Sequence, residues 1–485
     1  MSGHPLHEIL RPKSIAVAGA SEDGRGAGFV TPLQDLGFKG KIYPVNPKYA
    51  GKEILGLKAY ATVREIPDPV DFVISSIPAT QVLALLDDCA VKGVKGIHFF
   101  TARFSETGRP EAIALEKEVL RRAKAANIRL IGPNCMGVYY PAWGIGFNDS
   151  MPKQSGPISL ASQSGSVTGE IVEMARTKGM YFSKAISYGN AIDLNESDYL
   201  EYYTEDEDTK IILMYIEGVK DGKRFFKTLR QATLKKPVII IKGGRGKAGT
   251  RATASHTASL AGTMNVWHST VKQAGAVEVA TTDELIDIAA AFYYLPPVYG
   301  KRVGVVGGSG GTSVMSADLC EEAGLDVIPF PQEIREELKA KGNPIWDWIG
   351  NPVDFSIAMG DNNTTGEVAG MISRHPDFDL LMMFVNPPNF RGNRRPGMGP
   401  PDNMKEIFDR MGINDIKKPL FVVVDDRGRS MNDDTGEAAR KLIEMRQALI
   451  AHGIPVFNST EAAANTASKF ADFYIRQKQT ITTGD

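Results

Sequence analysis

This 485-residue sequence has little of what marks a secreted protein or a binder of charged polymers. It holds three cysteines, Cys89, Cys135 and Cys320, too few and too scattered for a disulfide framework or a zinc cage. A reducing, cytoplasmic setting and no protein-bound metal are therefore expected. Neither sign of charge dominates: 56 Lys and Arg stand against 57 Asp and Glu, a net charge of −1. That balance lacks the basic footprint of a nucleic-acid partner or an anionic-membrane partner. No uninterrupted apolar run reaches the ~18 residues of a transmembrane helix. Residues 1–8 lack the basic-then-apolar order of a secretory signal, so none is expected.

Glycine, by contrast, is plentiful, with 49 residues gathered mostly at the ends of apolar runs. Short Val/Ile-rich segments recur at 14–18, 41–45, 71–75, 96–100, 129–131, 157–161, 211–215 and 237–241, then at 302–306, 380–385, 419–424 and 454–457. Helical patterns separate them. Continuous apolar strands alternating with helices predict parallel sheets covered on both faces. Pro/Gly-rich breaks around 132–156 and 294–301 divide the chain into three expected α/β domains, 1–135, 150–295 and 300–472. In such sheets ligands bind beyond the carboxyl ends of the strands.

Three glycine-rich turns sit at such ends. The first, after 15–18, runs Gly19-Ala20-Ser21 into a Gly-rich segment and a helix, an anion site by its exposed N–H groups and helix dipole. It lacks the Gly-x-Gly-x-x-Gly fingerprint, and no acid follows the second strand to hold an NAD ribose. Asn46 and Lys48 stand there instead, which favours a ribose phosphate, as in NADP or coenzyme A. The third strand ends in Ser75-Ser-Ile77-Pro78, a stiff turn suited to an adenine or a pantetheine arm. The second turn, Ser162-Gln163-Ser164-Gly165, is too short for a Walker loop but suits one phosphoryl group at a helix start. The third, Gly307-Gly308-Ser309-Gly310-Gly311, repeats that device in the last domain.

A run of small residues, 243–262, follows the strand at 237–241 and carries His256 behind the cations Lys242, Arg245, Lys247 and Arg251. With almost no apolar area to bury, it reads as a mobile loop able to bring an imidazole to an anion. A solvated loop with an incidental histidine has the same composition. Glu217, at the end of strand 211–215, could accept a proton from one imidazole nitrogen and leave the other nucleophilic.

In order and spacing these segments, with Tyr43-Pro-Val-Asn-Pro-Lys48, Ser105-Glu-Thr-Gly108, Gly132-Pro-Asn-Cys-Met-Gly137, Ser187-Tyr-Gly-Asn-Ala191, Ala254-Ser-His-Thr257 and Asn351-Pro-Val-Asp-Phe355, resemble one family. It is the α subunit of nucleoside-diphosphate-forming acyl-CoA synthetases, such as ADP-forming acetate–CoA ligase, which are similar to succinyl-CoA synthetase. The resemblance implies a Rossmann-like CoA-binding domain followed by two flavodoxin-like ligase domains. Gly19, Ala20, Ser21, Asn46, Lys48, Ser75, Ile77 and Pro78 would bind CoA, with Asn134 and Cys135 near its thiol. His256 would be phosphorylated and steadied by Glu217, the phosphoryl group resting between Ser162–Gly165 and Gly308–Gly311. The reaction implied is acyl-CoA + phosphate + ADP ⇌ carboxylate + CoA + ATP. No ATP-grasp segment is recognised, so a separate β subunit, in an α2β2 assembly, is expected to bring ATP/ADP and Mg²⁺. Three segments depart from the pattern: 101–104, which reads Thr101-Ala-Arg103-Phe104, then 386–401, with Arg391, Arg394 and Arg395, and 425–434. The last two read as surface inserts, or the arginines as contacts to a bulkier or more acidic acyl group. Two other readings remain at this level: a non-catalytic CoA-sensing scaffold, and an NADP-dependent oxidoreductase.

Overall fold

The structure, a computed structural model, describes residues 4–22, 28–257, 263–308, 310–343, 345–354, 363–385, 408–409, 411–424 and 436–483. It forms two compact units, Met1–Leu285 and Ile286–Asp485.

The first unit holds two open sheets. Strands β1 (Ser14–Ala18), β2 (Lys41–Val45), β5 (Phe72–Ser75), β6 (Gly96–Phe99) and β7 (Arg129–Ile131) pair in the order β2-β1-β5-β6-β7, all parallel. Between β2 and β5 a two-residue pair, β3 (Glu53–Ile54) and β4 (Leu57–Lys58), forms a small hairpin. Every residue of β1, β5 and β6 is buried, which is why these segments carry unbroken apolar runs rather than an alternation.

The second sheet contains β8 (Gly137–Tyr139), β9 (Ile158–Ser162), β10 (Phe182–Ser187), β11 (Ile211–Ile216), β12 (Val238–Lys242) and β13 (Val277–Val279), in the order β13-β12-β11-β9-β10-β8. The expectation of purely parallel sheets needs one correction. β8 runs antiparallel to β10, pairing Tyr139 with Ala185, and covers an edge that would otherwise present unpaired backbone groups. In both sheets the strand order reverses beside the first parallel strand, between β1 and β5 and between β9 and β11. Each reversal opens a crevice beyond the carboxyl ends.

In the second unit β14 (Val303–Val306), β15 (Leu380–Phe384), β16 (Leu420–Val423) and β17 (Val456–Phe457) form a parallel sheet in chain order. Leu381 and Met383 feed one core cluster and Leu380 and Met382 another, so adjacent residues of a single apolar run fill the cores on opposite faces. Beside β14 the described residues make two isolated bridges, Arg302 to Asp326 and Gly308 to Asp354. Asn351 supplies further bonding along that edge. Its Oδ1 accepts from Val305 N at 2.8 Å, and its Nδ2 donates to Val303 O and Ile328 O at 2.8 Å each.

Candidate active site

The first crevice is built by backbone close approach. Gly19 follows β1 with φ +89°, and a Cβ there would lie 2.8 Å from Ser76 Oγ, so only glycine fits. Its N–H donates to Val45 O at 2.9 Å, while Ser76 N donates to Ala18 O at 2.9 Å. The three strand ends are thereby stitched together. Asn46 Nδ2 donates to Ala20 O at 2.8 Å and its Oδ1 accepts from Lys48 N at 3.1 Å. Asn46 thus braces the Gly19 turn, while the Lys48 side chain is exposed. Ser75 is fully buried, Ile77 half-buried and Pro78 exposed.

Thr101 links this crevice to the end of β7. Its hydroxyl donates to Ile77 O at 2.8 Å and lies 3.4 Å from Ser75 Oγ, and its carbonyl accepts from Asn134 N at 3.0 Å. Asn134 holds φ +58°, one of few non-glycine residues in the left-handed region. Cys135 beside it is buried, and burial pushes its thiol up, away from the reactive thiolate. Gly19, Ala20, Asn46, Ser75 and Ile77 therefore gather at the β1/β5 reversal, with Asn134 reached through Thr101. In the sequence Thr101 stands out only as part of a departure from the family pattern, and nothing there marks it as a site residue beyond a hydroxyl just after a strand end.

The second crevice is tighter and more polar. Ser164 caps the helix Gly165–Thr177, accepting from Val167 N at 3.4 Å, and Ser162 Oγ both donates to Ser164 O at 2.8 Å and accepts from Ser164 N at 3.2 Å. A Cβ on Gly165 would meet Met136 Cγ at 2.4 Å, so any larger residue at that helix start must displace the Met136 side chain. Gln163, 1% exposed, crosses the β9/β11 reversal. Its Oε1 accepts from both Glu217 N and Gly218 N, which fixes the amide orientation and turns Nε2 the other way. That Nε2 is buried and has no hydrogen-bond partner among the described residues. A buried, oriented donor beside a helix start is what an anion requires. Glu217 is 4% exposed and accepts from Tyr215 OH at 3.3 Å. Burial and the neighbouring Glu217 push that phenol up to about 12.

The glycine-rich run carrying the histidine departs from the loop expected of it. Residues Lys247–Thr257 are helical. Three alanines raise helix propensity there, and the helix is pinned by small residues at close range. Thr250 Oγ1 donates to Gly244 O at 3.0 Å and buried Thr253 lies against Gly244. His256 falls in the last turn, and its side chain lies outside the described residues. The four cations do not act together. Lys242 is buried, with Nζ donating to Glu217 O at 2.7 Å, and burial lowers its pKa. Arg245 donates to Ala280 O at 2.7 Å, and Lys247 and Arg251 are exposed. The helix Lys247–Thr257 packs against the turn Ser105–Thr107, which belongs to the first sheet's loops.

In the second unit Gly307 follows β14 with φ +91°, a Cβ there meeting Phe384 O at 2.4 Å, and the helix Gly310–Glu322 begins just after. Ser313 Oγ is buried without a partner among the described residues. Gly308 bridges Asp354. Ser309 and the segments 386–401 and 425–434, with Arg391, Arg394 and Arg395, lie outside the described residues.

Comparison with known proteins fits this arrangement. The CoA binding domain family matches residues 13–141, and the family described as succinyl-CoA ligase like flavodoxin domain matches residues 155–292. Acetate–CoA ligase [ADP-forming] II subunit alpha of Pyrococcus furiosus is 34% identical over 463 residues, covering 95% of this chain and 96% of its own. The chain belongs to the ADP-forming acetate–CoA ligase family, in its α-subunit form. Acetate–CoA ligase [ADP-forming] of Methanocaldococcus jannaschii is 39% identical over 355 residues, 73% of this chain, and this family member spans about half (49%) of that relative's length. Among solved structures, Ca. Korarchaeum cryptofilum dinucleotide forming acetyl-coenzyme A synthetase 1, in complex with phosphate and ADP, superposes with TM-score 0.81 at 29% identity, over 99% of this chain and 98% of that one. Neither the oxidoreductase reading nor the scaffold reading is favoured by these ligase relatives. No helix among the described residues is long and apolar enough to cross a membrane.

Proposed function

We propose that this chain is the CoA-binding and phosphohistidine-bearing subunit of an ADP-forming acid–CoA ligase. Phosphate attacks the acyl thioester, releasing CoA and leaving an acyl phosphate. His256 then attacks phosphorus, the carboxylate departs, and the phosphohistidine passes its phosphoryl group to ADP. The observation that carries this reading is the second crevice, where Gln163 Nε2, buried and without a partner among the described residues, stands beside the capped helix start at Ser164 and Gly165. Phosphoryl transfer needs positioning and charge stabilisation above all, which fixed donors supply without reorganising.

Each residue has a part in this proposal. Gly19, Ala20, Ser21, Asn46, Lys48, Ser75, Ile77, Pro78 and Asn134 form the CoA side. Ser162, Gln163, Ser164 and Gly165 hold the phosphoryl group, Glu217 steadies the imidazole, and Gly308, Ser309, Gly310 and Gly311 offer a further phosphate turn. The work divides over three modules, 1–135, 150–295 and 300–472. The α-subunit name of the Pyrococcus relative points to a separate partner, which we assign as an ATP-grasp β subunit in an α2β2 assembly, bringing ADP/ATP and Mg²⁺ in the cytoplasm.

The test is a screen of small carboxylic acids with the chain and its partner, following acid- and CoA-dependent release of ADP and phosphate from ATP. Turnover that needs both chains and is lost in His256→Ala supports the proposal. Turnover unchanged in His256→Ala would overturn it.

A further inference from the structure

The junction between the first two sheets contains a polar node that none of the roles above uses. Glu106 lies in the turn Ser105–Thr107, the turn against which the helix bearing His256 packs. Its side chain folds back on its own loop, Oε1 accepting from Phe104 N at 3.1 Å and also from Arg103 N. Arg103 is held at φ +78°, an unfavourable conformation for arginine that these bonds offset. The other oxygen, Oε2, shares the Phe104 N–H at 3.0 Å and accepts from Asn190 Nδ2 at 2.7 Å. Asn190 is 1% exposed and follows β10, in the second sheet. The same Nδ2 donates to Glu116 Oε2 at 3.2 Å, and that oxygen in turn accepts from Ser105 Oγ at 2.7 Å. Asn190 N donates to Pro133 O at 3.0 Å.

One buried residue, through its side-chain amide and its backbone N–H, therefore ties together a turn, a helix and the Gly132–Gly137 segment of the CoA-side module. We propose that Glu106 and Asn190 form a latch that docks the Ser105–Thr107 turn, and with it bound CoA, against the histidine helix during acyl transfer. They are positioning residues acting through that turn. The inference rests on the ligase reading above and adds residues to it. It predicts a loss confined to the CoA-dependent step, because the ligase reading assigns phosphorylation of His256 from ATP to the nucleotide-binding partner and gives this turn no part in it.

The hydrogen-bond polarity supplies a reciprocal test. In Glu106→Gln, Oε1 can still accept from the loop N–H groups, but an amide donor now faces the Asn190 donor. Rotating the Asn190 amide is no remedy, since its oxygen would then face Glu116. In Asn190→Asp three carboxylates converge in a buried place. In the Glu106→Gln, Asn190→Asp double variant the introduced amide donates to the introduced carboxylate, which restores the polarity of that pair while leaving a carboxylate facing Glu116. We would measure two rates with the chain and its partner: ³²P incorporation from ATP, and CoA-dependent discharge of that label in the presence of the acid. Each single variant should slow the discharge by on the order of 10²-fold, the scale of a ~1 Å misplacement. The double variant should discharge the label faster than either single variant, recovering part of the loss, with incorporation unchanged throughout. Single-variant losses that add in the double variant, or that fall equally on incorporation, would overturn the latch. Ser105→Ala, which removes one hydroxyl bond from the node, gives a milder reading if the single variants fold poorly. A parent chain that takes up no label would refute the ligase reading instead, which keeps the two failures apart.

Discussion

At the scale of single residues, Gln163 bears most of the argument. Its carbonyl oxygen is committed to the Glu217 and Gly218 N–H groups, so its buried Nε2 is a donor fixed in direction before any phosphate arrives. Gln163→Glu keeps the acceptor and replaces the donor with negative charge. The rate of His256 labelling should fall by on the order of 10²- to 10³-fold with the fold intact by circular dichroism. An unchanged rate would remove Gln163 from the phosphate site. Its neighbour Ser162 was legible in the sequence as part of a turn at a helix start, but the direction of the Gln163 amide was not, because the groups that set it lie more than 50 residues away. The same holds for the Glu106, Glu116 and Asn190 node, whose members come from three separate segments joined only by the fold. Asn46 shows the converse: it read as a cofactor ligand, and the structure adds a second use of its side chain, bracing the Gly19 turn, that the sequence did not announce.

Among elements, the strands at 14–18, 72–75, 158–162 and 238–242 were plain in the sequence because burial on both faces leaves an unbroken apolar signal. β10 was not, although all six of its residues are buried. It carries Ser183, Lys184 and Ser187, and a buried lysine is tolerated there only because Lys184 Nζ meets Asp206 Oδ2 at 2.5 Å and Ser183 Oγ at 2.8 Å. No local pattern announces such a partner. The histidine helix escaped for a different reason: its glycines and threonines read as loop, yet Gly244 lets Thr253 approach closely enough to dock the turn. Gly244 has φ +71°, and a Cβ there would meet Thr253 Oγ1 at 2.8 Å. Gly244→Ala should therefore lower stability by about 1–3 kcal/mol. Gly246→Ala, where nothing lies within 4 Å, should stay within about 0.5 kcal/mol. Urea unfolding of the two variants checks both; equal effects would mean that the Gly244–Thr253 contact does not hold the helix.

For the molecule as a whole, acid sensitivity has an identifiable source. His98 is 1% exposed in the centre of β6, its Nε2 lies 3.0 Å from Cys135 O, and burial lowers its pKa from 6.5 to about 4. The unfolded chain therefore binds a proton below pH 6.5 that the folded chain refuses until about pH 4, so stability is lost as pH falls through that window. The expected loss between pH 8 and pH 5 is about 2 kcal/mol from this residue. Comparing urea midpoints at the two pH values, His98→Gln should shed that part of the slope. An identical slope would place the acid sensitivity elsewhere.

The proposed relay passes through a phosphorylated His256. The direct measurement is to incubate the chain with its partner, Mg²⁺ and [γ-³²P]ATP, and then to locate acid-labile label on the α chain. The prediction is label at His256 that is lost in His256→Ala and discharged by the acid together with CoA. No label on a folded, CoA-binding complex would contradict the phosphoryl relay and leave a chain that binds CoA without catalysing its acylation.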